Sequence, residues 1–158
     1  MYEQIVVGTD GSAGAQVAVD AAVALAALTG ATLHIVHGHK LSSAYHLAAA
    51  VEVGVVPDIV ESNEAIVAES GRICGDAVTK AVAGGVHAEA HCVAGDAADA
   101  LIRVATDAGA DLIVVGNRGM AGARRFVLGS VPNKVSHHCP SSLLIVDTSR
   151  AGVGSDPS

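Results

Sequence analysis

Short runs of β-branched and aliphatic residues recur along the chain with helix-length stretches between them, and this alternation constrains the fold more than any other feature. Ile5-Val6-Val7, Leu33–Val36, His87–Val93, Leu112–Val115 and Leu143–Val146 read as strands. Ala13–Leu28, Glu61–Val82, Ala97–Ala108 and Val131–His137 read as the helices between them. Strands that are apolar along their length are buried on both faces. The pattern therefore predicts five buried strands in a mostly parallel sheet, joined by right-handed crossovers and covered by helices on both sides, an α/β sandwich. The helix ends carry matching signals. Ser12, Asp96 and Ser130 suit N-caps, and Gly30, Gly84-Gly85 and Gly109 suit C-termini.

A chain of 158 residues suits one domain, here residues 1–149, and a domain of that size buries roughly 68–70% of its unfolded surface. Residues 150–158 are small and polar with Gly, Asp and Pro, and read as a flexible tail. The stretch from Gly38 to Val60 is less regular, with Gly54 and Pro57 around the apolar tract Leu47–Val53, and reads as a loop with one short helix. Hydrophobic residues make up 51% of the chain but aromatics only 2%, so the core is aliphatic and no aromatic platform exists for stacking bases. A formal charge of −7 removes the broad basic footprint that nucleic-acid binding requires, though a small anion needs only a local positive site. No apolar run reaches the roughly 18 residues of a membrane span, because Asp20 interrupts the longest helical candidate and Thr29-Gly30 closes it. Met1-Tyr2-Glu3-Gln4 leads directly into a strand without a basic n-region or cleavage signal, so a cytoplasmic protein is expected. Cys74, Cys92 and Cys139 are odd in number and lack C-x-x-C spacing, which reads as free thiols.

The densest chemical signal is Gly116-Asn117-Arg118-Gly119, then nine residues, then Gly129-Ser130-Val131, between the fourth strand and the fourth helix. Glycines at 116, 119 and 129 let the backbone turn and approach a ligand without a Cβ clash. Exposed N–H groups then face phosphate oxygens, and Ser130 opens a helix whose dipole is positive at that end. Pro132 near the helix start gives up only an N–H that is unpaired anyway. There is no G-x-x-x-x-G-K-[ST] and no G-x-G-x-x-G, so neither a Walker-type cradle nor a dinucleotide fingerprint is present. Arg118, Arg124 and Arg125 fall inside this segment; Arg118 is a candidate phosphate contact, while Arg124 and Arg125 read as a solvated face.

A second element comes from Val7-Gly8-Thr9-Asp10-Gly11-Ser12 at the end of the first strand. Asp10 suits either an Asx-turn before the helix or an acceptor for a ribose or adenine edge. Ligands of open α/β sheets sit beyond the C-terminal strand ends where strand order reverses, so a fourth strand beside the first would bring Asp10 and Gly116 to one crevice.

These residues resemble the universal stress protein family, whose nucleotide-binding members share the signature G-x2-G-x9-G-[ST], matched here by Gly116, Gly119, Gly129 and Ser130. The resemblance runs on through Ile5–Ser12, through Asp111-Leu112-Ile113-Val114-Val115-Gly116 and through Leu143–Val146. It implies a single-domain, Rossmann-like three-layer sandwich of the adenine nucleotide alpha hydrolase kind, with a five-stranded parallel sheet of order 3-2-1-4-5. It further implies a stress-response regulator that binds ATP or another adenine nucleotide, with Mg²⁺ accompanying ATP. A homodimer through the Leu143–Val146 edge and an unknown protein partner complete the expectation. Carried over by position, Gly116, Gly119, Gly129, Ser130 and Val131 would hold phosphates and ribose, with Val115 leading into them. Asp10 would sit near ribose and adenine, the Gly8 and Thr9 backbone would line the pocket, and His37-Gly38 would offer backbone contacts to adenine. The chain departs from the family at Asn117, where many members carry Ser, Thr or His. At Gly38 a bulkier residue is frequent, so a roomier adenine pocket is expected.

Other constellations carry less. His37-x-His39 and the pair His87 and His91 each share a strand face, but two ligands do not make a zinc site, so no metal is expected. His137-His138 near a helix C-terminus complements the dipole. Neither Ser12 nor Ser130 lies in G-x-S-x-G, and no general base is evident, so no catalytic residue is assigned and the chain reads as a binder rather than an enzyme. A nucleotide-free dimeric interaction module and a slow ATPase are the alternatives.

Overall fold

The structure, a computed structural model of the chain, describes residues 1–41, 57–118 and 127–149. Five strands, β1 (Gln4–Gly8), β2 (Thr32–His39), β3 (Ala88–Ala94), β4 (Leu112–Gly116) and β5 (Ser142–Val146), form one parallel sheet of order β3-β2-β1-β4-β5. The helices are α1 (Ala13–Thr29), α2 (Pro57–Ala83), α3 (Ala97–Asp107) and α4 (Ser130–His138). The expected Rossmann-like sandwich and strand order are therefore present.

Strand alternation divides the core into two layers. Ile5, Val7, Leu33, Ile35, Leu112 and Val114 face α1 and α2, where Ala18, Val19, Ala22, Ala77 and Ala81 meet them. Val6, Val36, Ile113 and Val115 face α3 and α4, against Ala98, Leu101, Val104, Ala105 and Val135. Along α1 the buried positions Ala15, Ala18, Val19, Ala22 and Ala26 follow helical spacing, and their small side chains bring the helix close to the sheet. Gly30 ends α1 in the left-handed region at φ 73° and donates its N–H to Ala26.

Three expectations are corrected. Only β1, β2 and β4 are buried; β3 and β5 are the sheet edges and are half exposed, because each lacks a neighbour on one side. The helix expected from Glu61 starts at Pro57, since proline is tolerated in a first helical turn, where its missing N–H costs nothing. Ser130 is the first residue of α4 rather than its cap; Gly129 holds the cap position and makes no side-chain hydrogen bond. The tract Leu47–Val53 and the tail over 150–158 lie outside the described residues. No helix among the described residues is long and apolar enough to cross a membrane.

Candidate functional site

The chain leaves β1 into α1 on one face of the sheet and leaves β4 into α4 on the other, while β1 and β4 lie side by side. The peptide units between the two diverging helices open a crevice, continuous with solvent, at the C-terminal ends of the strands. Gly8, Thr9, Asp10, Gly38, Val115, Gly116, Arg118, Ser130 and Val131 all border it. Ala15, Val36, Ala97, Leu101 and Pro132 add an apolar lining that the sequence reading did not assign to ligand contact.

Each edge of the crevice has a local cause. Asp10 Oδ1 accepts the Ser12 N–H at 2.9 Å, the Asx-turn alternative, so this carboxylate shapes the turn while bordering the crevice. Ser12 Oγ accepts the Ala15 N–H at 3.1 Å and caps α1. Asp96 caps α3 through the N–H groups of Ala98 and Asp99 at 3.1 and 3.2 Å. Lys134 reaches from α4 to Asp96 and Asp99 at 3.2 and 2.8 Å; the Asp99 N–H first, and then Lys134 and the Ala98 N–H, hold the Asp96 carboxyl below its usual range. Among the three helices whose starts border the crevice, α4 alone begins without a side-chain cap. Its first-turn N–H groups are thus left to an external acceptor, at the positive end of the helix dipole. Among the described residues, Arg118 is the cationic one bordering the crevice.

The glycine loop is held at its root by Asn117, whose structural role the sequence reading missed. The Gly129 N–H donates to the Asn117 carbonyl at 2.9 Å and closes the loop, while the Asn117 N–H donates to Val146 at 2.9 Å. Asn117 Oδ1 accepts from the backbone N–H and the hydroxyl of Thr148 at 3.0 and 2.7 Å, and Nδ2 donates to Asp147 at 3.1 Å. A Cβ at Gly116 would stand 3.0 Å from Thr148 Cγ2, so the clasp and the glycine fit one another.

Two sequence expectations change here. Gly38 does not widen the crevice: a Cβ there would lie 2.6 Å from Ala97 Cα, so the missing side chain is what lets the start of α3 pack on β2. The His37 side chain is turned to the opposite face, where Nδ1 meets Ser70 Oγ of α2 at 2.8 Å, and His37 does not border the crevice although its neighbours Val36 and Gly38 do. Gly119, Arg124 and Arg125 lie outside the described residues.

These features define a doubly wound, Rossmann-like α/β domain with a crevice at the topological switch point. Residues 1–147 match the model of the Universal stress protein family, and the chain belongs to that family. Universal stress protein YxiE of Bacillus subtilis is 34% identical over 148 residues, covering 92% of this chain and 99% of the relative. A solved universal stress protein in complex with cAMP is 34% identical, with a TM-score of 0.68 over 94% of this chain and 98% of that one. The universal stress protein UspA of Lactobacillus plantarum shares the fold at a TM-score of 0.77 and 24% identity, over 92% of this chain and 97% of that one.

Proposed function

We propose that this chain is an adenine-nucleotide-binding stress-response regulator that acts as a homodimer, with ATP as its leading ligand and Mg²⁺ entering with the ATP phosphates. The observation that carries the reading is the uncapped start of α4 beside Arg118 in the switch-point crevice. An anion there gains the helix dipole, free N–H donors and a guanidinium together. The apolar side chains of Val36, Leu101 and Val115 suit a base, and Asp10, which borders the same crevice, is read as the acceptor for a ribose hydroxyl. The cAMP complex of a relative 34% identical supports the adenine class. Gly119, through the signature it shares with Gly116 and Gly129, is read as a further phosphate contact. Binding without turnover is preferred because Asp10, the acid among the described residues bordering the crevice, is read as a ribose contact rather than as a base aimed at water.

Mass spectrometry of the small molecules released when the purified protein is denatured tests the ligand class, and an adenine nucleotide is expected. A protein that releases none and binds none is the nucleotide-free interaction module instead. Mg²⁺-dependent phosphate release that disappears in Ser130→Ala would make it a slow ATPase.

A further inference from the structure

On the α3-facing side of the sheet, toward the N-terminal ends of the strands and away from the crevice, three polar side chains converge. His34 of β2 is buried, with 6% of its surface exposed. Its Nδ1 lies 3.0 Å from His91 Nε2 and 3.6 Å from Glu89 Oε2, both on β3. His91 Nε2 and Glu89 Oε2 are 4.0 Å apart. An ion with Zn–N and Zn–O bonds of about 2.0–2.2 Å holds tetrahedral ligand atoms roughly 3.3–3.6 Å from one another. The three observed separations bracket that value, so small side-chain rotations suffice to bring all three atoms onto one ion.

The outer contact also fits. His34 Nε2 lies 2.8 Å from Gln4 Oε1 of β1. An amide oxygen only accepts, so Nε2 carries the proton and Nδ1 presents its lone pair to His91 and Glu89. A histidine whose second ring nitrogen donates to a fixed oxygen is the usual support for a metal ligand. Glu89, with half its side-chain surface exposed, leaves a path for an ion to enter.

We propose that His34, Glu89 and His91 form a binding site for a divalent transition-metal ion of the Zn²⁺ type, with water in the fourth position and Gln4 orienting His34. Two imidazoles and a carboxylate suit such an ion better than Mg²⁺ or Ca²⁺, which prefer oxygen ligands. Binding replaces the hydrogen bond between the two histidines with two metal–nitrogen bonds. His91 takes the tautomer protonated at Nδ1, and neither ring loses a proton overall. The set is therefore not the His87 and His91 pair: Glu89 and His91 come from β3, and the third ligand, His34, comes from β2, where it pairs with Glu89 across the sheet.

Calorimetric titration of the full chain with ZnCl₂, and with Co²⁺ as a visible-absorption probe, tests the site. One ion per chain is expected. His91→Ala and Glu89→Gln, at partly exposed positions, should each weaken Zn²⁺ by about tenfold or more, while Gln4→Ala weakens it by roughly 10–100-fold with all three ligands present. Thermal melting followed by circular dichroism verifies that the variants fold. Absence of saturable one-to-one binding overturns the proposal. So does unchanged Zn²⁺ affinity in folded His91→Ala, which would place the ion at other histidines.

Discussion

Asn117 ties the last residue of β5, Val146, and the following Asp147 and Thr148 to the root of the glycine loop through backbone and side chain alike. Thr148 is buried, so removing its acceptor leaves a hydroxyl and an N–H without a partner and without full access to water. Asn117→Ala is expected to cost about 1–3 kcal/mol, read as a lower urea midpoint with an unchanged slope. Asn117→Asp keeps the oxygen that Thr148 uses but loses the donor to Asp147 and sets two carboxylates together, so its midpoint should fall as well. In the sequence Asn117 is one residue of a loop, and the stretch that completes its role is 31 positions away. Asp10 was more legible because its partner, Ser12, is two residues on and Asx-turns are local. The same distinction separates Ser12 and Asp96, which cap as their residue types suggest, from Ser130, where the chain enters the helix one residue earlier.

At the scale of elements, β2 and α2 are joined by a polar contact within an otherwise aliphatic layer. Ser70 Oγ lies 2.8 Å from His37 Nδ1 and 3.2 Å from His39 Nδ1, and the two rings stack with centroids 6.4 Å apart. Burial and the neighbouring His39 hold the His37 pKa below its ordinary value, while Asp10 and Glu69 oppose that shift. The unfolded chain then takes up the proton more readily than the folded one. The contribution to stability is complete above the ordinary histidine value of about 6.5 and is lost as pH falls below it toward the depressed folded value. Urea midpoints are expected to be lower at about pH 5.5 than at about pH 7.5, above the range where most carboxylates titrate. His37→Asn should narrow the difference. An unchanged gap would mean that this contact does not sense pH; buried His34, shifted in the same direction, accounts for a remainder.

The alternation of apolar runs revealed every strand and helix described, because each element's own residues carry its period. Edges were less legible. Nothing within Ala88–Ala94 says that one side lacks a neighbour, since that follows from strand order, and Pro57 looks like a breaker until it stands in a first helical turn. The clustering of His34 with His91 and the docking of Ala97 on Gly38 likewise arise only when β2 meets β3 and α3.

For the whole molecule, β5 is the edge next to β4 and presents Ile145 with 37% of its surface exposed. An apolar edge of this kind invites pairing with a second copy. Light scattering behind size exclusion should show a dimer for the native chain and a folded monomer for Ile145→Lys; a native monomer at the same concentration would argue against a dimer through β5. The central claim is that the crevice between β1 and β4 binds an adenine nucleotide at the start of α4. Its most direct test is calorimetric titration of the full chain with ATP, ADP, AMP and cAMP. The account predicts saturable one-to-one binding of at least one of the four, lost in a folded Gly116→Val variant. Absence of heat from all four, or undiminished affinity in that variant, would contradict it.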